Sequence, residues 1–320
     1  MIDFRYHLVS IVSIFLALAV GIVLGAGPLQ GQIGDTLTSE ITQLRADKTS
    51  LRDQVTTLEK QGTDDRAYAE ATLGRVVSGA LSGRAVALVV LPDVDADRVT
   101  EAASAVTLAG GTIASTTRVQ GSWIAGNTAT KSDRDALVSR LATTLGLTVT
   151  AGSESVNLPD RVLAAALAST TATGVGQEAA RAALTELTTA KLIEVEAKDV
   201  VPAQLVVVLS GPITAGTAKD REAAASSWLR LAQALDTAAT ASVLTTSTPT
   251  AASETSASLV TAARADGAAS KAISTVDDTA TPMGRASLVL ALVQQEDGAT
   301  GHYGTGDGAS APFAPLPDGP

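Results

Sequence analysis

The 320-residue sequence has no cysteine, two histidines and two methionines. Without cysteine there is no disulfide, no thiolate metal site and no cysteine nucleophile. So few sulfur and imidazole groups make a dedicated soft-metal site hard to build. Aromatic residues reach only 2%, so a core has to be packed from Ala, Val and Leu. Positive charge is in deficit as well: 23 Lys and Arg stand against 33 Asp and Glu, a formal net charge of −10. An acidic chain repels phosphate, which argues against nucleic acid as a partner. What is abundant is apolar. Hydrophobic residues make up 45%, which excludes disorder of the whole chain, and a chain of this length can bury a sizeable core.

The apolar residues are concentrated first at the N-terminus. No charged side chain occurs between Leu8 and Gly27. As a helix that run rises about 30 Å, enough to cross the hydrocarbon of a bilayer. Ser10 and Ser13 can return their hydroxyls to the backbone and so are tolerable in lipid. Arg5 precedes the run, and no Lys or Arg follows until Arg45. The positive-inside bias therefore predicts a single-pass protein with residues 1–7 as a cytoplasmic stub, 8–27 as anchor and the body outside the cytoplasmic membrane. A cleaved signal peptide is the rival reading. Gly25, Ala26 and Gly27 offer small residues for a cut, but Pro28 follows the best site, and the run is long for a signal sequence. Membrane lipid is thus an expected partner.

A heptad pattern comes next. Leu37, Ile41, Leu44, Lys48, Leu51, Val55 and Leu58 are spaced alternately by four and three, which predicts a short coiled coil over 35–61. In a parallel homodimer Glu40 would face Arg45 and Asp47 would face Arg52, both opposite in charge. Lys48 in the seam would lower stability but fix register. A single amphipathic helix lying on its own domain uses a similar stripe. Gly62 with Thr63, Asp64 and Asp65 marks where the seam ends.

The remainder, 80–306, reads as an α/β domain. Arg84–Leu91 and Gln204–Ser210 are continuous apolar runs suited to strands buried on both faces. Weaker strands are expected at Thr112–Thr117, Leu192–Glu196, Ala241–Thr246 and Ala272–Val276. Helices are expected at Asp93–Leu108, Lys131–Leu145, Glu178–Ala190, Asp220–Ala234, Glu254–Ala263 and Pro282–Gln294. The Leu288–Val293 stretch is apolar all round and predicts deep burial. Strands alternating with helices imply an open parallel sheet covered on both faces, Rossmann-like or flavodoxin-like, with the strand order left open. The ten-residue alternating strands of a membrane barrel are missing from the pattern. A join between two halves is expected near 150–160. The tail 307–320, rich in Gly, Ala and Pro, is expected to be disordered.

In such sheets ligands sit past the carboxyl ends of the strands. That places Asp93, Ser210, Gly211, Asp277 and Asp278 among the candidate ligand-binding residues. Adjacent carboxylates at Asp277 and Asp278 can bind a hard cation or serve as acid and base. The plainer reading is a loop before a helix, with Thr281 as N-cap and Pro282 at the first helical position. His302, Tyr303, Gly304 and Gly306 form a second candidate. Their loop follows a helix rather than opening one, so it is no dinucleotide fingerprint. His302 can ligate a metal, but a loop histidine is more often simply hydrogen-bonded. Trp123 and Trp228 read as packing. No nucleophile elbow or ordered triad occurs, so the residues alone give no catalytic set and no cofactor.

Two stretches carry a family resemblance. His7-Leu8-Val9-Ser10 running into Phe15-Leu16-Ala17-Leu18-Ala19-Val20-Gly21-Ile22-Val23-Leu24-Gly25 resembles the start of the MctB family. Ser274-Thr275-Val276-Asp277-Asp278, followed by Gly284-Arg285, Leu290-Ala291-Leu292 and Tyr303-Gly304-Thr305-Gly306, resembles its end. The resemblance implies an actinobacterial cell-envelope protein, an outer-membrane location included, linked to copper transport or homeostasis and described as pore-forming. Copper enters only by this resemblance. Three functions follow as expectations: an anchored dimer in copper homeostasis, acting alone or with an envelope transport partner; an envelope scaffold or ligand-binding protein; and an enzyme at the strand ends built on Asp277, Asp278 and His302.

Overall fold

The computed structural model describes residues 4–26, 28–124, 128–147, 158–168, 176–196, 202–248 and 256–316. Positions 150–157, where a join of two halves is expected, lie outside the described residues. The chain forms two compact units, Met1–Asp65 and Arg66–Pro320.

The first unit is helical. Helix α1 spans Phe4–Ala26. Its stretch Phe4–Gly25 has a mean hydropathy of 2.8 with every side chain exposed. Among the described residues it is the one helix long and apolar enough to cross a membrane. Ser13 Oγ donates to the Val9 carbonyl at 2.8 Å, so its hydroxyl is satisfied without water. Helix α2 runs Pro28–Val77, with proline at the position where a missing N–H costs nothing. The seam residues Leu37, Ile41, Leu44, Leu51, Val55 and Leu58 are all exposed. The helix continues through Gly62, although glycine costs a helix about 1 kcal/mol. Lys60 pairs with Asp64 at 2.7 Å across that point, the favourable i, i+4 spacing.

The second unit is built on a seven-stranded sheet: β1 Ala85–Val90, β2 Thr112–Val119, β3 Ile193–Glu196, β4 Leu205–Ser210, β5 Ala241–Thr246, β6 Ser274–Val276 and β7 His302–Tyr303, in the order β3-β2-β1-β4-β5-β6-β7. All pairings are parallel except β2 with β3. The sheet is dominated by parallel pairs, as expected, with β3 an antiparallel strand at one edge. Among the described residues three α-helices and one short 3-10 helix intervene between β2 and β3, so no simple crossover dictates direction. The Ile-Glu-Val-Glu alternation of β3 suits a half-exposed edge strand, unlike the continuous apolar runs of β1 and β4.

Alternation within the strands feeds two cores. Ala87, Val89, Val206, Val208 and Leu244 pack beneath α4 (Thr128–Thr144), α5 (Leu158–Leu167), α6 (Gln177–Thr189), α7 (Ala218–Ala238) and α8 (Leu259–Ala265). Val86, Leu88, Val90, Val207, Leu209, Val243 and Val276 pack beneath α3 (Ala96–Leu108), α10 (Pro282–Glu296) and the end of α2. A short helix, α9 (Ala269–Ala272), precedes β6. Leu288–Leu292 are buried as expected. The tail differs from expectation over 307–316: Gly304 N donates to the Ala311 carbonyl at 2.9 Å, and Ala314 is buried on the α10 side.

Candidate functional site

The residues expected at the strand ends fall into two groups. At one end of the sheet the loops are tied shut. Asp277, which follows β6, accepts hydrogen bonds from Thr305 N at 2.8 Å, Gly306 N at 3.1 Å and Arg264 Nη1 at 2.7 Å. Both partners of the Asp277–Arg264 pair have side chains only 2% exposed. Arg264, on α8, also donates through Nε to Thr275 Oγ1 at 2.8 Å, through Nη2 to the Tyr303 carbonyl at 2.8 Å, and through Nη1 to the Asp307 carbonyl at 3.2 Å. One guanidinium thus holds three segments together with its fixed fork of donors.

Gly304 lies against this clamp at φ 128°, and a Cβ there would overlap the Asp277 carboxylate. Glycine is required twice over, by backbone conformation and by space. His302 has both ring nitrogens engaged, Nδ1 with Thr275 Oγ1 at 2.9 Å and Nε2 with the Ser270 carbonyl at 3.0 Å. A carbonyl only accepts, so Nε2 carries the proton and Nδ1 accepts from the threonine. Burial, and more weakly the nearby Arg264, push its pKa below the usual histidine value. The Tyr303 hydroxyl donates to Gln294 Oε1, and burial raises its pKa.

Asp278 is half-buried at φ 64°. Burial raises its pKa, the Thr281 hydrogen bond opposes this, and the charges of Asp277 and Arg66 add smaller effects of opposite sign. Thr281 Oγ1 accepts from Gly284 N at 3.1 Å with Pro282 next in the chain, so the cap-and-proline reading of this loop holds. The loops after β5 and β6 are joined as well: Thr279 N donates to the Thr246 carbonyl at 3.1 Å and Ala280 N to the Ser247 carbonyl at 3.0 Å.

The middle of the sheet is open. A cleft of about 390 Å³ lies past the carboxyl ends of β1 and β4. These are the strands between which the sheet order reverses, the usual place for a ligand in an open α/β sheet. Asp93, Ser210 and Gly211 line it, with Ile213, Trp228 and Leu259 supplying much of its apolar wall. Asp93 sits at φ 63°, and a Cβ on Gly211 would overlap the Asp93 carbonyl. Ser210 Oγ donates to the Thr245 carbonyl at 3.0 Å, which leaves its lone pairs as acceptors. Asp220 stands at the rim, and the Thr217 hydroxyl and backbone N–H hold its carboxyl below the usual range. Asp277, Asp278 and His302 do not line this cleft. Among the described residues no three His, Cys, Asp or Glu side chains are grouped to hold a metal ion.

Comparison with known proteins bears on what this arrangement serves. A family model described as "Copper transport outer membrane protein, MctB" matches residues 1–314. The chain belongs to the MctB family. It is 31% identical over 317 residues to a protein named copper transporter MctB from Mycobacterium bovis, covering 97% of this chain and 98% of that one. The protein of that name from Mycobacterium tuberculosis matches equally, and one from Mycobacterium leprae is 33% identical over 138 residues, 41% of each chain.

In this MctB-family chain two of the four stretches of the C-terminal resemblance are parts of one clamp. Ser274–Asp278 supplies the carboxylate, and Tyr303–Gly306 supplies the backbone that it holds. Sequence reasoning missed Arg264, which joins them from thirteen residues before Asp277. An arginine on an Ala-rich helix gives no signal by itself. It also missed Arg285, which is buried between Glu70 and Glu101, and Asp160, whose Oδ1 accepts from Trp123 Nε1 at 2.8 Å.

Proposed function

We propose that this chain is a membrane-anchored envelope protein in copper homeostasis or efflux. Its N-terminus lies in the cytoplasm and its body outside the cytoplasmic membrane. It works as a parallel dimer through the α2 seam or with an envelope transport partner. The family match over residues 1–314, together with relatives named copper transporters, is the observation that carries this reading. The uncharged stretch of α1 supports the anchor, and Arg5 ahead of it supports the orientation. Deleting the gene and measuring cell copper and copper tolerance tests it. Altered copper content, restored by the intact gene, is expected. Unchanged content and tolerance would remove the reading.

A second reading is favoured by the cleft at β1 and β4. The body is then a ligand-binding or scaffold module without direct metal transport. The clamp at the β6–β7 edge engages Asp277 and His302 internally, whereas the cleft keeps an apolar wall beside the Asp93 and Asp220 carboxylates and the Ser210 hydroxyl acceptor. Such a lining suits a small, largely apolar ligand bearing a hydroxyl or ammonium group. An enzyme built on Asp277, Asp278 and His302 has less support, since their polar atoms hold the fold together. Thermal-shift screening of neutral and cationic small molecules tests the cleft. A stabilising hit abolished by Ala224→Leu, at a partly exposed position in the cleft wall, supports it, and a hit unaffected by that change opposes it.

A further inference from the structure

We propose that the apolar groove formed by the last turns of α2, the start of α10 and Phe313–Leu316 is where the bodies of two copies of this chain meet. The inference rests on the dimer reading above and extends it from the coil to the body. The groove encloses about 270 Å³ and is lined by Tyr68, Val76, Met283, Leu290, Phe313 and Leu316, among others. Within it Tyr68 is 73% exposed, Leu316 65%, Phe313 52%, Met283 44% and Val76 38%. Large apolar side chains left together in water mark an interaction surface.

The sequence register says what covers it. Counting on from Leu58 by alternating fours and threes gives Gly62, Asp65, Ala69, Thr72 and Val76. Gly62 and Asp65 interrupt the seam, as their polarity predicts. The next three positions are small or apolar again, and all three line the groove. They are not there to fill this chain's own core. That task falls to Leu73 and Val77, which are offset by one position and almost fully buried. In a parallel two-stranded coil each seam position meets its own counterpart. A partner in register at Leu37–Leu58 therefore arrives at Ala69, Thr72 and Val76 with its own copy of the same strip. A two-fold contact of this kind is self-complementary, so Tyr68 and Phe313 of one copy cover the groove of the other.

The lack of native cysteine gives a clean test. Three single-cysteine variants of the full-length protein, Leu51→Cys in the seam, Val76→Cys in the groove and Thr185→Cys on exposed α6, are oxidised in membranes. Val76 is partly exposed, so its variant keeps the core intact. Expected are covalent dimers at twice the 32.1 kDa of one chain for Leu51→Cys and Val76→Cys, forming about tenfold faster than for Thr185→Cys. A dimer from Leu51→Cys with only background from Val76→Cys overturns the groove contact while leaving the coil standing. The groove then serves another occupant, such as a lipid chain or a different protein. Background from both overturns the dimer reading itself. As a second measurement, Met283→Asp is expected to weaken dimerisation in detergent about tenfold with unchanged thermal stability. Unchanged association opposes the proposal.

Discussion

Arg264 is a single side chain on which the C-terminal edge of the sheet depends, and its removal can be worked out in advance. Arg264→Ala deletes donors to Thr275 Oγ1, Asp277 Oδ2 and the carbonyls of Tyr303 and Asp307. It leaves the Asp277 carboxylate buried with two backbone N–H donors, from Thr305 and Gly306. Removing one partner of a buried ion pair costs about 3–5 kcal/mol, chiefly because the other charge stays out of water. Arg118→Ala is the control, since the Arg118–Glu196 pair is 28% and 57% exposed, and such pairs contribute about 0–1 kcal/mol. Urea unfolding followed by tryptophan emission is the assay, because Trp123 and Trp228 both lie in the second unit and report on it alone. With a slope of about 3 kcal/mol per molar, the midpoint falls by about 1–2 M for Arg264→Ala. Asp277→Ala alone should cost a similar amount, and the double variant less than the two singles added, because no charge is then stranded. A midpoint for Arg264→Ala no lower than that of Arg118→Ala would refute the clamp.

Further predictions follow from neighbouring groups. Gly304→Ala puts a Cβ into the Asp277 carboxylate and should prevent soluble folding, whereas Gly298→Ala, with a positive φ but open space, should cost only about 1 kcal/mol; expression and unfolding midpoints compare them. Burial lowers the His302 pKa below 6.5. Its contribution to stability is therefore complete above pH 6.5 and is lost as pH falls through the lowered folded value; the one other histidine, His7, leaves the NMR titration unambiguous, and a His302 resonance titrating at or above 6.5 would contradict the geometry. Burial raises the Asp160 pKa above 3.8, in excess of what the Trp123 hydrogen bond returns. Its contribution is complete below pH 3.8 and lost as pH rises through the raised folded value, so Asp160→Asn should stabilise the protein at neutral pH and lose that advantage in acid, as melts across that range will record.

What could be read from the sequence depended on how local the cause was. β1 and β4 are visible because a strand buried on both faces must be apolar throughout, and Ala-Val-Ala-Leu-Val-Val and Leu-Val-Val-Val-Leu can be little else. The Thr281–Pro282 start of α10 was legible because capping is settled within four residues. The edge strand β3 carried its own clue in Ile-Glu-Val-Glu, an alternation that a wholly parallel sheet does not need. β7 is two residues long, too short for any period to register. α5 had a usable signal in Leu158-Pro159-Asp160, a proline and an acid opening an apolar helix. The candidate residues divided along the same line. Their positions at strand ends follow from the pattern of strands. Which of them face a partner and which face a cleft depends on Arg264, Thr305 and Gly306 arriving from elsewhere in the chain.

Transport sets a requirement that the anchor alone does not meet. A single helix satisfies its own backbone hydrogen bonds and so crosses lipid, but it encloses no polar path. Over Leu8–Gly25 the α1 surface carries no charge, and its two serines, Ser10 and Ser13, are its sole polar side chains there; an unsolvated cation gains little from such a wall. On the proposed anchored reading, a copper role runs through assembly, either as several copies or with a partner that supplies the conduit. That makes the state of association the quantity to measure first. In the proposed dimer, anchors held side by side by the Leu37–Leu58 seam would raise each other's effective concentration, and a second contact at Val76 would fix the bodies as well as the helices. If the single-cysteine variants show a seam without a body contact, each body is free to engage a separate partner through the groove. If they show both, the cleft at β1 and β4 is still an open surface through which a ligand or partner can act.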